Sequence, residues 1–120
     1  MIIDTETTGL SKHDEPIEIA LNLIKVSDEG VLLEELQTYC GLRQPRVSIS
    51  PLSQKIHGIQ ISELDGMDWD HEMIRQLIDK ADILIAHNAS FDVQMLSSIY
   101  PEIVEKNWRC TYQQWPWPKA

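Results

Sequence analysis

Basic side chains are scarce in this sequence. Ten Lys and Arg stand against 19 Asp and Glu, a net charge of −9 over 120 residues. That balance argues against a partner held by a broad cationic surface. It does not exclude a phosphate-bearing partner, because clustered acids that gather divalent cations present a positive site once loaded. Cysteine is nearly absent: Cys40 and Cys110 have no metal-ligand spacing, which predicts free thiols in a reducing compartment rather than a disulfide scaffold. No apolar run approaches the roughly 18 residues of a membrane span, and no basic region precedes an apolar segment at the N-terminus. The expectation is a soluble, unexported, cytoplasmic chain with no membrane partner. Internal repeats and low-complexity tracts are also missing. The length suits one modest domain, 1–120, and a 42% hydrophobic, 24% charged composition is ordinarily globular.

What is present begins at once, with Met1-Ile2-Ile3-Asp4-Thr5-Glu6-Thr7-Thr8-Gly9-Leu10. A short apolar run reads as a strand that delivers two carboxylates and breaks at Thr-Thr-Gly. Residues two apart on a strand share a face, so Asp4 and Glu6 point one way and Thr5 the other. Adjacent carboxylates repel; either one keeps its proton or a cation sits between them, and oxygen donors suit Mg²⁺ or Mn²⁺. The alternative is a strand end whose acids face water and cap a turn. The spacing by itself leaves both open.

Ile17, Ile19, Leu21 and Leu23 alternate with other residues over 17–26, the period of a half-buried strand. Ser27-Asp28-Glu29-Gly30 reads as a turn and 31–40 as another strand, so the first three strands form an antiparallel meander. Arg43, Arg46, Lys55 and His57 gather in the central segment, either as a basic patch or as scattered solvated charges. Ser50-Pro51 is a helix start and Gly58 a helix stop, and Ser62 is read as the cap of a further short turn. Asp65, Asp68, Asp70 and Glu72 precede Ile74, Leu77, Ile78 and Ala81 at helical spacing and are read as N-terminal helix charges, with His71 on the solvated surface. The run 82–86 reads as a strand buried beneath helices. Ser90 is expected to cap a helix carrying Phe91, Met95, Leu96 and Ile99, with Phe91 in the core and Pro101 as terminator. Asp92 then lies in the first turns of a helix that follows a strand, where it either compensates the helix dipole or serves a site. A last strand is expected over 108–112. Three of the four tryptophans fall in the last 13 residues, as a core or partner surface would use them.

Asp4 to Leu10, followed about eighty residues later by His87-Asn88-Ala89-Ser90-Phe91-Asp92, resembles the DEDD exonuclease superfamily, which includes the proofreading subunit of bacterial replicative polymerase and the RNase T group. Ile56-His57-Gly58-Ile59 and Arg109-Cys110-Thr111 carry weaker likenesses. The resemblance implies a ribonuclease H-like α/β fold, a mixed five-stranded sheet with its first three strands antiparallel and helices around it. It further implies 3′→5′ removal of nucleotides from a single-stranded DNA or RNA 3′ end with two divalent metal ions, Mg²⁺ or Mn²⁺. Carried over motif to motif, Asp4, Glu6 and Asp92 would be catalytic metal ligands. Thr7 and the backbone around Thr8 and Gly9 would hold the terminal 3′-hydroxyl, Leu10 would wedge against the last base, and His57 and Asn88 would lie near the substrate strand. The family's third motif, a fourth aspartate with a histidine or tyrosine ahead of it, has no counterpart before Ala120. His87 and Asp92 show a similar spacing but sit in the second motif. The sequence therefore predicts a domain lacking its C-terminal portion.

Two other functions fit parts of the pattern. One is a non-catalytic relative that binds nucleic acid or a protein such as a polymerase through the tryptophan-rich end. The other is an aspartyl-phosphate phosphatase, for which Glu6 stands where a second aspartate is expected and the segment 87–92 has no use.

Overall fold

The computed structural model describes residues 1–111. Its centre is β1 (Ile2–Thr7), flanked by β2 (Pro16–Val26) on one side and β4 (Ile83–Ala86) on the other, with β3 (Leu32–Leu42) and β5 (Asn107–Cys110) at the edges. The strand order β3-β2-β1-β4-β5 is antiparallel across β1/β2 and β2/β3, and parallel across β1/β4 and β4/β5. This is the expected mixed five-stranded sheet, meander first. Parallel pairing needs crossovers, and helices α2 (His71–Lys80) and α3 (Ala89–Leu96) supply packing on one face.

The alternation in β2 decides what is buried. Ile17, Ile19, Leu21 and Leu23 are at most 7% exposed, and the last three meet Ile3, Ile74, Leu77, Ile78, Leu84 and Leu96 from the neighbouring strands and the two helices. Tyr100 and Ile103, fully buried, close the same core from the segment after α3. Leu84 has no exposed surface at the middle of this cluster. Leu84→Ala is expected to cost about 3 kcal/mol, through lost transfer energy plus the cavity left behind, read as a lower urea midpoint at unchanged slope.

The opposite face is not covered by helices among the described residues. Ile2, Ile24, Val26, Leu32 and Ile85 line a groove of about 800 Å³ there, together with Asp4, His87 and Thr111. The strand over 82–86 is thus buried on one side only: Leu84 and Ala86 are inside, while Ile83 and Ile85 are partly exposed.

Local sequence chemistry explains α1 (Pro51–His57) fully. The Ser50 hydroxyl accepts from the Ser53 amide, Pro51 opens the first turn, and Gly58 closes the helix at φ 70, a left-handed conformation that suits glycine. Elsewhere the structure corrects the expectations. Ser62 lies inside the 3-10 turn Ile61–Leu64, which Gln60 precedes, donating its amide to Glu63 Oε2 at 2.6 Å. Of the acids before α2, Asp70 is the cap, accepting from the Met73 amide, and Glu72 lies in the first turn; Asp68 instead pairs with His71. His71 is not a free surface residue, since its ring bridges Tyr100 Oη at 2.7 Å and Asp68 Oδ2 at 3.2 Å. Helix α3 starts at Ala89 behind Asn88, so Ser90 is helical and donates to Asn88 Oδ1 rather than capping. It ends at Leu96, and Pro101 opens a 3-10 turn, Pro101–Glu105, instead of terminating α3. Phe91 is half-buried and outside the buried core. Cys40 is exposed and Cys110 buried. Trp108 packs against the core, while Tyr112, Trp115 and Trp117 lie outside the described residues.

Candidate active site

β1 carries the acids, and its pleat sets their directions. Asp4 and Glu6 share the open face of the sheet, and Asp4 lines the apolar groove there. Antiparallel pairing sets Asp4 opposite Ala20 and Glu6 opposite Glu18, so Glu6 faces a like charge across the ladder as well as its neighbour Asp4. Partial burial, then Asp4, push the Glu6 carboxyl above its ordinary range, with Glu18 adding to the shift and His57 opposing it.

Asp92 enters from α3. The parallel β1/β4 pairing places the end of β4 beside β1, and the chain turns directly into α3 after Ala86. Asp92 is 6% exposed, and burial pushes its carboxyl up to about 6. A hydrogen bond from Thr5 Oγ1 to Asp92 Oδ1, at 2.7 Å, opposes that shift, and the charge of Asp4 adds to it. Thr5 thus uses the face that Asp4 and Glu6 leave. Only the strand alternation marks Thr5 in the sequence, by sending the residue between two acids toward the helices.

Asp4 is the shared neighbour, acting on both Glu6 and Asp92. The charge of Asp4 thus reaches both other acids, while Thr5, which bonds Asp92, leaves β1 on the face opposite Asp4 and Glu6. The donor set of the three acids is entirely hard oxygen. Among the described residues no three His, Cys, Asp or Glu side chains converge closely enough to define a metal cage.

The turn after β1 is tied to α1. His57 Nε2 lies 3.1 Å from the Thr7 carbonyl oxygen, and its Nδ1 lies 3.0 Å from the Ile59 amide nitrogen. The Ser50 amide donates to the Thr8 carbonyl at 2.7 Å. The Thr7 hydroxyl is buried and donates to the Gly9 carbonyl at 2.8 Å, so that side chain is engaged within the turn. Thr8 is fully buried, whereas Leu10 is 74% exposed. The backbone amides of Gly9 and Leu10 donate to no partner among the described residues. Asn88 is exposed at the start of α3, and His87 Nδ1 lies 3.0 Å from Thr111 Oγ1.

The central basic residues do not form one patch. Arg43 and Arg46 both turn to Glu15, at 3.0 and 3.6 Å, and Arg43 also lies over the Trp69 ring; Lys55 is exposed on α1. His57 alone of the four contacts the turn that follows the acids.

Comparison with known proteins bears on the family and the fold. A family model described as exonuclease, of the RNase T type, matches residues 1–115. DNA polymerase III PolC-type of Caldanaerobacter subterraneus is 32% identical over 101 residues, covering 82% of this chain and 7% of that protein. The PolC-type polymerase of Thermotoga petrophila is 31% identical over 115 residues, covering 93% of this chain and 8% of that protein. The chain thus spans less than a tenth of these polymerases. Among solved structures, Exonuclease X in complex with 5′ overhanging duplex DNA superposes with a TM-score of 0.68 at 30% identity, covering 98% of this chain and 65% of that one. E. coli Exonuclease I in complex with a dA16 oligonucleotide gives a TM-score of 0.69 at 16% identity, covering 92% of this chain and 27% of that one, a likeness of fold. With the coupled acids on β1 and α3, the mixed sheet and a match over nearly the whole length, the chain belongs to the RNase T-type exonuclease family.

Proposed function

We infer that this chain carries the active-site acids of a metal-dependent 3′→5′ exonuclease acting on single-stranded DNA or RNA ends. The observation that carries the reading is the coupling of Asp4, Glu6 and Asp92, two of them held above the ordinary carboxylate range by burial and mutual repulsion. Such a set is relieved by a divalent cation with oxygen preference, and Asp4, Glu6 and Asp92 would hold it as part of the four-acid site the family resemblance implies. When bound, Mg²⁺ or Mn²⁺ supplies charge neutralisation at phosphorus and a lowered water pKa for in-line phosphodiester hydrolysis. The protein's own groups do the positioning. Thr5 fixes the Asp92 carboxylate, His57 and Ser50 fix the backbone at Thr7 and Thr8, and the Gly9 and Leu10 amides are available to a terminal 3′-hydroxyl. Exposed Leu10 is suited to press on the last base. Binding of a DNA 3′ end is consistent with the oligonucleotide complexes of the structural relatives, and a polymerase context with the PolC-type relatives.

The test is a 5′-labelled single-stranded oligonucleotide incubated with Mg²⁺ or Mn²⁺. The expected product is a ladder shortened from the 3′ end, abolished by EDTA. Trimming that persists without metal would sink the reading. A second reading, a non-catalytic nucleic-acid binding module, draws on the lack of a closed metal cage among the described residues and on Thr5 occupying one Asp92 oxygen; EDTA-insensitive binding with no shortened product would favour it.

A further inference from the structure

We propose that Asp14 is a positioning residue, which shapes the turn at 7–11 so that its free amides meet the 3′-terminal nucleotide. The proposal rests on the exonuclease reading above and adds a residue to it. Asp14 lies in the polar connection between β1 and β2, away from the three acids in sequence, yet each side-chain hydrogen bond it makes reaches back to the turn. Its Oδ1 accepts from Thr8 Oγ1 at 2.8 Å; its Oδ2 accepts from the Ser11 amide at 2.9 Å and from Ser11 Oγ at 2.8 Å.

Thr8 is the other half of the clasp. Its amide donates to the Glu15 carbonyl at 2.9 Å, while its hydroxyl accepts from the Glu15 amide at 3.0 Å before passing its own proton to Asp14. Both ends of the loop are therefore stitched through one fully buried hydroxyl and one carboxylate. The Asp14 carboxylate also lies against the Gly9 backbone. A Cβ at Gly9 would stand 2.8 Å from Asp14 Oδ1 and nearer still to Oδ2, so glycine is needed there for space, not for an unusual φ. The amides of Gly9 and Leu10, which have no partner among the described residues, are thus held beside a fixed anion that takes neither of them. Burial acts to raise the Asp14 carboxyl, but the bonds from Thr8 and Ser11 outweigh it and keep the group ionised below its ordinary value. An exposed turn that only had to connect two strands would not need this: many short polar loops suffice.

The separating feature is end recognition. Phosphate contacts along a strand are indifferent to what terminates it, whereas a shaped turn distinguishes a 3′-hydroxyl from a 3′-phosphate. The probes are a fluorescein-labelled oligothymidylate with a free 3′-hydroxyl and the same strand 3′-phosphorylated, titrated in Ca²⁺ to suppress cleavage. Asp14→Asn keeps the volume and one acceptor for Thr8, but the amide nitrogen it then turns to Ser11 accepts neither Ser11 donor. It is expected to lose about tenfold of the preference for the 3′-hydroxyl strand, since charge-assisted bonds are the stronger kind, with Mn²⁺ affinity and thermal midpoint close to the parent. Ser11→Ala, which leaves Asp14 in place, should lose part of the same preference and serves if Asp14→Asn does not fold. A preference kept in the folded variant, or a fall in Mn²⁺ affinity equal to the fall in preference, would overturn the role of Asp14. A parent protein that shows no preference between the two strands would overturn the exonuclease reading itself.

Discussion

Asp4→Ala should abolish 3′→5′ trimming, lowering kcat/KM by about a thousandfold or more, on the scale seen when a charge-stabilising group is removed from a reacting centre. Asp4 is the acid common to both neighbours, raising Glu6 and Asp92 alike. Removing it deletes a candidate ligand and scatters the negative potential that would draw a divalent cation. It costs little in stability, because Asp4 is exposed and stands outside the buried core. Repulsion among the acids falls, so the thermal midpoint in EDTA should hold or rise while activity disappears. That divergence is the mark of a group kept for function at some expense to the fold. A loss of activity that tracks a loss of folded protein would point to a structural role for Asp4 instead.

Asp92→Asn should stabilise the metal-free protein at neutral pH. Asparagine matches the carboxylate in shape and keeps an oxygen to accept from Thr5, but it carries no charge into a site that is 6% exposed. Burial first, with Asp4 adding, lifts the Asp92 carboxyl from 3.8 to about 6. Its folded pKa is raised, so between pH 4 and 6 the unfolded chain has released the proton that the folded chain still holds, and stability falls as pH rises through that window. Below it both forms are protonated and the variant should gain nothing. Above it the parent bears the full cost of the buried charge, about 3 kcal/mol for a shift of this size, and the variant escapes it. Urea unfolding in EDTA at several pH values reads this directly. Equal stability of the two proteins from pH 4 to pH 8 would show that Asp92 is not held in a desolvated, charged state.

Much of this architecture was legible in the residues because one physical rule decided each case. The alternation of Ile17, Ile19, Leu21 and Leu23 had to place four side chains on one face, and it did. Ser50, Pro51 and Gly58 each answer a specific need of a helix end, so α1 was readable to the residue. The errors fall where two residues offered equivalent chemistry. Asn88 and Ser90 are both good helix starts, and the early turn of the chain after β4 decided for Asn88, whose carbonyl receives the Phe91 and Asp92 amides. Pro101 is as fit to open a turn as to end a helix. His71 could not be distinguished from a solvated residue without knowing that Tyr100 lies beneath it.

The site divides in the same way. Asp4 and Glu6 share a face by the pleat of a single strand, so two carboxylates pressed together followed from sequence. Asp92 required the motif resemblance, since nothing local distinguishes it from a helix-dipole charge. Its bond to Thr5 joins residues 87 apart and depends on the parallel β1/β4 pairing, which no local signal encodes. Asp14 has no local mark of a role: the Ser11-to-Asp14 spacing is a turn signal, but its grip on Thr8 is a property of the folded loop.

The central claim is that Asp4, Glu6 and Asp92 together hold a divalent cation. Calorimetric titration of the metal-free protein with Mn²⁺, run beside Asp4→Ala, tests it most directly. The account predicts saturable binding by the parent, with protons released near pH 6 as Asp92 ionises, and none by the variant. Mn²⁺ binding that is absent from the parent, or unchanged in Asp4→Ala, would contradict it.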